Sequence, residues 1–138
     1  MFLMNNDNDY YLSLLNISLQ LGGLDVTTSR NYFGRQIDSF EASVELKDSF
    51  LDGYGMINDN GIMKPNCWGV FIRAPAVLSV DSPKVTVLGT VQTPEKEEPV
   101  VVAVKQGNIM ATAFHPELTD DPRWHGFFLN CLIKNKLS

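Results

Sequence analysis

Phe114-His115-Pro116-Glu117-Leu118 places an imidazole and a carboxylate two residues apart with a proline between them. Proline disfavours the helical region for the residue before it, so His115 is expected to be extended. In an extended segment residues i and i+2 point to the same side, which lets the two side chains meet. A carboxylate on one ring nitrogen fixes the tautomer and holds the charge when the ring takes a proton. That is the base and orienter of a nucleophile–base–orienter triad. The nucleophile is not adjacent. Cys67 and Cys131 are the two cysteines. Cys131 falls on the apolar side of a helical pattern, where a thiol is inert. Cys67 has no Gly-rich elbow around it.

Other chemistries find less support. His115, Glu117, Asp120, Asp121 and His125 are close in sequence but lack a recognised metal-ligand spacing, so no metal is expected. Asp120 and Asp121 suit a helix cap instead, and His125 a helix flank. No cofactor is expected. The 138 residues carry a net charge of −5, with 44% hydrophobic and 20% charged residues. That is enough for one domain with a core. Basic residues do not run beyond a pair, which argues against nucleic acid. No apolar stretch is long enough to span a bilayer. Met1 to Met4 is too short for a signal peptide, and two cysteines make no disulfide framework, so a cytoplasmic location is expected.

The elements that must position His115 and Glu117 read mostly as strands. Tyr10 to Leu21 has helix-compatible spacing ended by Gly22-Gly23. Leu24 to Thr28 reads as a short strand, and Arg30 to Gln36 as a loop around Gly34. From Phe40 the alternation is regular, with Phe40, Ala42, Val44 and Leu46 on one face and Glu41, Ser43, Glu45 and Lys47 on the other. Asp52 to Asn66 is loop-like. Trp68 to Arg73 is a strand stopped by Pro75, and Val85 to Val91 is another. Val100 to Gln106 and Ile109 to Phe114 flank Gly107-Asn108, a hairpin signal. The last element is a helix, capped by Asp120 or Asp121 with Pro122 in its first turn. Trp124, Phe127, Phe128, Cys131 and Leu132 share one side of it. The helices are too few to cover a parallel sheet on both faces. The chain is therefore either a compact α+β domain or part of a larger α/β domain.

Five segments together carry a resemblance: Gly22-Gly23-Leu24-Asp25-Val26, Arg30-Asn31-Tyr32-Phe33-Gly34-Arg35-Gln36, Ser39-Phe40-Glu41-Ala42, Gly69-Val70-Phe71-Ile72-Arg73-Ala74-Pro75 and Phe114-His115-Pro116-Glu117-Leu118-Thr119. From about Leu21 to about Leu129 the chain resembles the glutaminase subunit of pyridoxal 5′-phosphate synthase, a class I glutamine amidotransferase. The histidine-proline-glutamate run is shared by many such enzymes. The blocks around Arg30 and Arg73 are more specific.

The resemblance implies an α/β fold: the C-terminal part of a flavodoxin-like three-layer domain, strand-rich with a C-terminal helix. Residues 1–20 are a divergent segment and 21–138 a partial amidotransferase domain. It implies hydrolysis of glutamine to glutamate and ammonia, with ammonia passed to a (β/α)8-barrel synthase subunit that builds the vitamin B6 cofactor. His115 and Glu117 match the base and orienter. Arg30, Ile72 and Arg73 match positions that bind glutamine, and an arginine fork suits its α-carboxylate. The family's glycine-threonine-cysteine-alanine-glycine-leucine elbow and its proline-glycine-glycine-glutamate-serine loop do not occur in this sequence. Met1-Phe2-Leu3 resembles the apolar residues on the C-terminal side of the elbow, so the expectation is a chain that starts at an internal methionine, just after the nucleophile. An alternative is a non-catalytic relative that binds the synthase subunit or an intact glutaminase; a third is a fragment that does not fold alone. Loss of the early strands and helices is expected to expose apolar strands such as Val100 to Val104 and to make the chain poorly soluble.

Overall fold

The regular alternation from Phe40 produces the strand it predicts. The computed structural model describes residues 2–4, 23–30, 32–34, 39–52 and 64–137. In chain order the elements are β1 (Phe2–Met4), β2 (Val26–Ser29), β3 (Ser39–Leu46), α1 (Asp48–Leu51), β4 (Asn66–Ile72), β5 (Ala76–Val80), β6 (Thr86–Val91), β7 (Val100–Gln106), β8 (Ile109–Thr112), a 3-10 turn (Pro116–Leu118) and α2 (Arg123–Leu137). The helical pattern of Tyr10 to Leu21 and most of the Asp52 to Asn66 loop lie outside the described residues.

The strands form one eight-stranded sheet in the order β1-β8-β7-β6-β3-β4, with β5 joining β2 to β7. All of its pairings among the described residues are antiparallel. β7 and β8 form the hairpin around Gly107-Asn108, where Gly107 takes φ +57°. Antiparallel pairing lets the sheet be built from hairpins rather than helical crossovers, which explains how so many strands coexist with so little helix. The result is the α/β, strand-rich domain with a C-terminal helix that the resemblance implies.

Several boundaries differ from the sequence reading. β2 starts two residues later than Leu24, and β4 starts at Asn66, inside the segment read as loop. β5 has no counterpart in the sequence reading: only its first two residues are buried, so it shows no alternation. Its pairing comes from β2, with Ser29 opposite Ala76 and Val26 opposite Val80.

The expected exposure of Val100 to Val104 is overturned. Val100, Val102, Ala103 and Val104 are buried and Val101 is half-buried. β7 sends Val100, Val102 and Ala103 into the larger core cluster, which includes Trp124 and Phe127 of α2. Val104 and Val101 belong to a smaller cluster with Val77, Val85 and Ala111. A strand covered on both sides is a continuous apolar run, as this one is.

α2 lies over the sheet as its pattern predicts. Trp124 and Phe127 are buried, and Phe128 and Cys131 pack partly buried against the larger cluster. The Asp121 carboxylate accepts the Arg123 backbone N–H at 3.1 Å, so Asp121 is the capping residue. Phe50, from the short α1, fills the space between the helix and the sheet, 4.3 Å from the Trp124 ring and 4.7 Å from Phe127.

One buried group in this core is unsatisfied. The Thr90 hydroxyl is buried and finds no hydrogen-bond partner among the described residues. An unpaired buried hydroxyl costs more than it returns, so Thr90→Val is expected to stabilise the protein by about 1 kcal/mol. A higher urea midpoint with unchanged slope is the expected readout; a lower midpoint would mean that the hydroxyl is paired.

Candidate active site

His115 follows β8 and crosses from the middle of the sheet to its edge. Ala113 N–H donates to Val102 O at 2.8 Å on β7, and His115 N–H donates to Val70 O at 2.9 Å on β4. Pro116 then does what its position predicts. His115 is extended at φ −103°, ψ +94°, and Pro116 opens the 3-10 turn. The two side chains meet: His115 Nδ1 lies 2.8 Å from Glu117 Oε1. The route differs from the expected one, since the turn and not a straight extended segment brings Glu117 back to the ring. An ionised carboxylate only accepts, so this contact favours the tautomer with the proton on Nδ1. In that tautomer Nε2 is the basic ring nitrogen, the one that could exchange a proton. Both side chains are part-exposed, 33% for His115 and 40% for Glu117, so the pair is reachable from outside.

The residues matched to glutamine binding come from two strand ends that the fold pairs. Ile72 ends β4 and is exposed, and Arg73 follows it. Arg30 follows β2. Ser29 sits opposite Ala76, and Tyr32 N–H donates to Ala74 O at 3.1 Å. Tyr32, two residues past Arg30, and the Arg73–Ala74 segment are therefore tied to each other. Val70, which holds the His115 backbone, lies two residues before Ile72 on β4. Arg73 has φ +44°, a left-handed conformation that costs a non-glycine residue about 1–2 kcal/mol. Strain of this kind concentrates where a backbone is held for a ligand.

A chain of aromatic rings underlies these segments. Phe33 of the Arg30 turn packs edge-on against Phe40 at 4.9 Å and Phe71 at 5.8 Å. Phe71 meets Phe114 at 5.6 Å, and Phe114 meets Trp124 at 5.0 Å. The residues next to Phe71 and Phe114 are Ile72 and His115, so packing of the rings sets where those side chains emerge. Gly69 makes room for this: a Cβ there would come within 2.9 Å of both the Phe71 ring and Val44.

Neither cysteine is poised to act. Cys67 is buried and receives the Trp124 indole N–H at 3.1 Å. Burial outweighs that hydrogen bond and pushes its thiol up to about 11, far from the thiolate range. Burial also raises the Cys131 thiol. Among the described residues no group of three His, Cys, Asp or Glu side chains could hold a metal ion. No helix among them is long and apolar enough to cross a membrane.

The model of the SNO glutamine amidotransferase family matches residues 11–134. The chain belongs to this family. It is 47% identical over 121 residues to the Dictyostelium discoideum protein named "Probable pyridoxal 5'-phosphate synthase subunit pdx2", a match that takes in 85% of this chain and 47% of the relative. It is 49% identical over 109 residues to the Acidothermus cellulolyticus pyridoxal 5'-phosphate synthase subunit PdxT, covering 79% of this chain and 45% of that one. A crystal structure of a glutamine amidotransferase superposes with a TM-score of 0.58 at 37% identity, over 80% of this chain and 47% of that chain. The chain thus spans about half the length of the curated relatives it matches. The family match runs through Arg30, Ile72, Arg73, His115 and Glu117. Sequence reasoning missed Thr112 and Val70, which grip the backbone before His115; a threonine inside an apolar strand was the available signal.

Proposed function

We propose that this chain carries the base-and-orienter half of a glutaminase site serving pyridoxal 5′-phosphate synthesis. The 2.8 Å contact between His115 Nδ1 and Glu117 Oε1, inside the family match, carries the reading. In the reaction a cysteine thiolate adds to the side-chain amide carbon of glutamine. His115 Nε2 takes the proton of that cysteine's thiol and gives it to the departing ammonia, then takes one from the water that hydrolyses the thioester to glutamate and returns it to the leaving thiolate. Glu117 holds the ring in the tautomer this needs and stabilises the imidazolium. Arg30 and Arg73 take the α-carboxylate, with Ile72 against the substrate's chain. Ammonia goes to a barrel-shaped synthase subunit, and both proteins work in the cytosol, where thiols stay reduced.

The state of Cys67 and Cys131 supports a nucleophile outside these 138 residues. It also favours a second reading, a non-catalytic relative that binds the synthase subunit or an intact glutaminase without turnover. Ammonia release from glutamine, measured with the synthase subunit present, separates them. The protein is expected to bind the subunit and release no ammonia by itself. Adding the part of the Dictyostelium relative outside the matched region is expected to restore release, and His115→Ala to cut it at least about 100-fold. A stable complex that still releases no ammonia after that addition supports the second reading. Release by this chain alone, lost in Cys67→Ser, would overturn the assignment of the thiol.

A further inference from the structure

Thr112 is almost fully buried, at 1% exposure, in the last position of β8. Its hydroxyl donates to the Phe114 carbonyl at 2.9 Å. That carbonyl and the His115 N–H belong to the same peptide unit, and the N–H is held by Val70 O at 2.9 Å. The unit is planar, so fixing both of its polar ends fixes its orientation. Pro116 restricts the backbone of His115 itself. Glu117 opposes the imidazole's own rotation through Nδ1. The hydroxyl is held in turn: Thr112 is β-branched, with few χ1 choices, and it pairs with Ala103 of β7.

We propose that Thr112 is a positioning residue for His115: its hydroxyl anchors the Phe114–His115 peptide so that the imidazole meets Glu117 as the Nδ1–H tautomer. Its importance for proton transfer rests on the glutaminase reading; its action on the ring does not. Valine has nearly the shape of threonine but leaves the Phe114 carbonyl without its buried donor. The peptide then rotates toward another partner and carries the His115 Cβ with it.

The test is the 15N spectrum of the imidazoles in the 138-residue protein, at alkaline pH where the rings are neutral. Wild type is expected to show His115 with Nδ1 protonated and Nε2 bare. Thr112→Val is expected to convert this to a mixture of tautomers, and Thr112→Ser to restore it, while the exposed His125 stays unchanged in all three. Unchanged His115 shifts in folded Thr112→Val would overturn the proposal. If Thr112→Val does not fold, wild type decides. A slowly exchanging Thr112 hydroxyl proton close to the His115 amide supports the anchor, and a freely exchanging one overturns it. None of these readouts uses turnover. Failure of the glutaminase reading would appear in the ammonia assay and leave the tautomer result standing.

Discussion

Trp124→Ala lowers the stability of the folded chain by about 3–5 kcal/mol, the range for removing a large aromatic side chain from a packed core. Trp124 is the largest fully buried side chain among the described residues. Its ring packs on Phe50 at 4.3 Å and on Phe114 at 5.0 Å. It also lies against Gly89, where an added Cβ would stand 3.4 Å from the indole. The contacts come from α1, the segment before His115 and β6, none of which can collapse into the space while the sheet keeps its register. The hole therefore stays open, which puts the cost at the high end for an alanine substitution. The Cys67 sulfur loses its indole donor as well, a small addition because sulfur is a weak acceptor. Urea unfolding reads the effect as a fall in midpoint. Trp124→Phe, which keeps most of the volume, is expected to cost less than half as much. A loss under about 1 kcal/mol for alanine would mean that α2 contributes little to the core.

The parts of this arrangement that the sequence discloses are those set by local rules. β3 is legible because one face is buried and the other is not, so residues of opposite polarity alternate from Phe40 to Lys47. The β7–β8 hairpin is legible because Gly107 supplies the positive φ a tight turn demands. The His115–Glu117 contact is legible because Pro116 restricts one backbone and the two side chains are too close in sequence to part. What the sequence conceals depends on distant partners. β5 becomes a strand because β2 and β7 lie on either side of it, and its own residues, mostly exposed, carry no period. The approach of the Arg30 turn to the Arg73 segment comes from the β2–β5 pairing. Spacing alone does not announce it; the family resemblance does. The burial of β7 on both sides is hidden for a similar reason. Its valines are covered by α2 and the β2–β5 pair, which come from distant parts of the chain.

The same distinction bears on Arg123, the clamp between α2 and β4. Its guanidinium donates to Lys64 O at 2.8 Å and Asn66 O at 2.7 Å, just where β4 begins. It also meets the Asp121 carboxylate, with Nη2 at 2.7 Å from Oδ2. The side chains are 11% and 22% exposed, which makes this a largely desolvated pair. Arg123→Met strands the carboxylate and two carbonyls, and is expected to cost about 2–4 kcal/mol, near the lower end of the range for breaking a buried pair. The loss should depend on pH. Burial, the strongest influence on Asp121, raises its pKa, but the hydrogen bonds and charge of Arg123, with Lys64 adding to them, together hold it below the usual 3.8. A carboxyl depressed in the folded state contributes stability that is complete above the unfolded pKa and lost as pH falls through the folded one. Wild type is therefore expected to lose its advantage over Asp121→Asn progressively below about pH 4, in the range where unfolded aspartates take up protons. Denaturant titrations at a series of pH values check this. A gap between the two proteins that stays constant into strong acid would show that the Asp121 charge contributes nothing, and that Arg123 holds β4 through its carbonyl contacts alone.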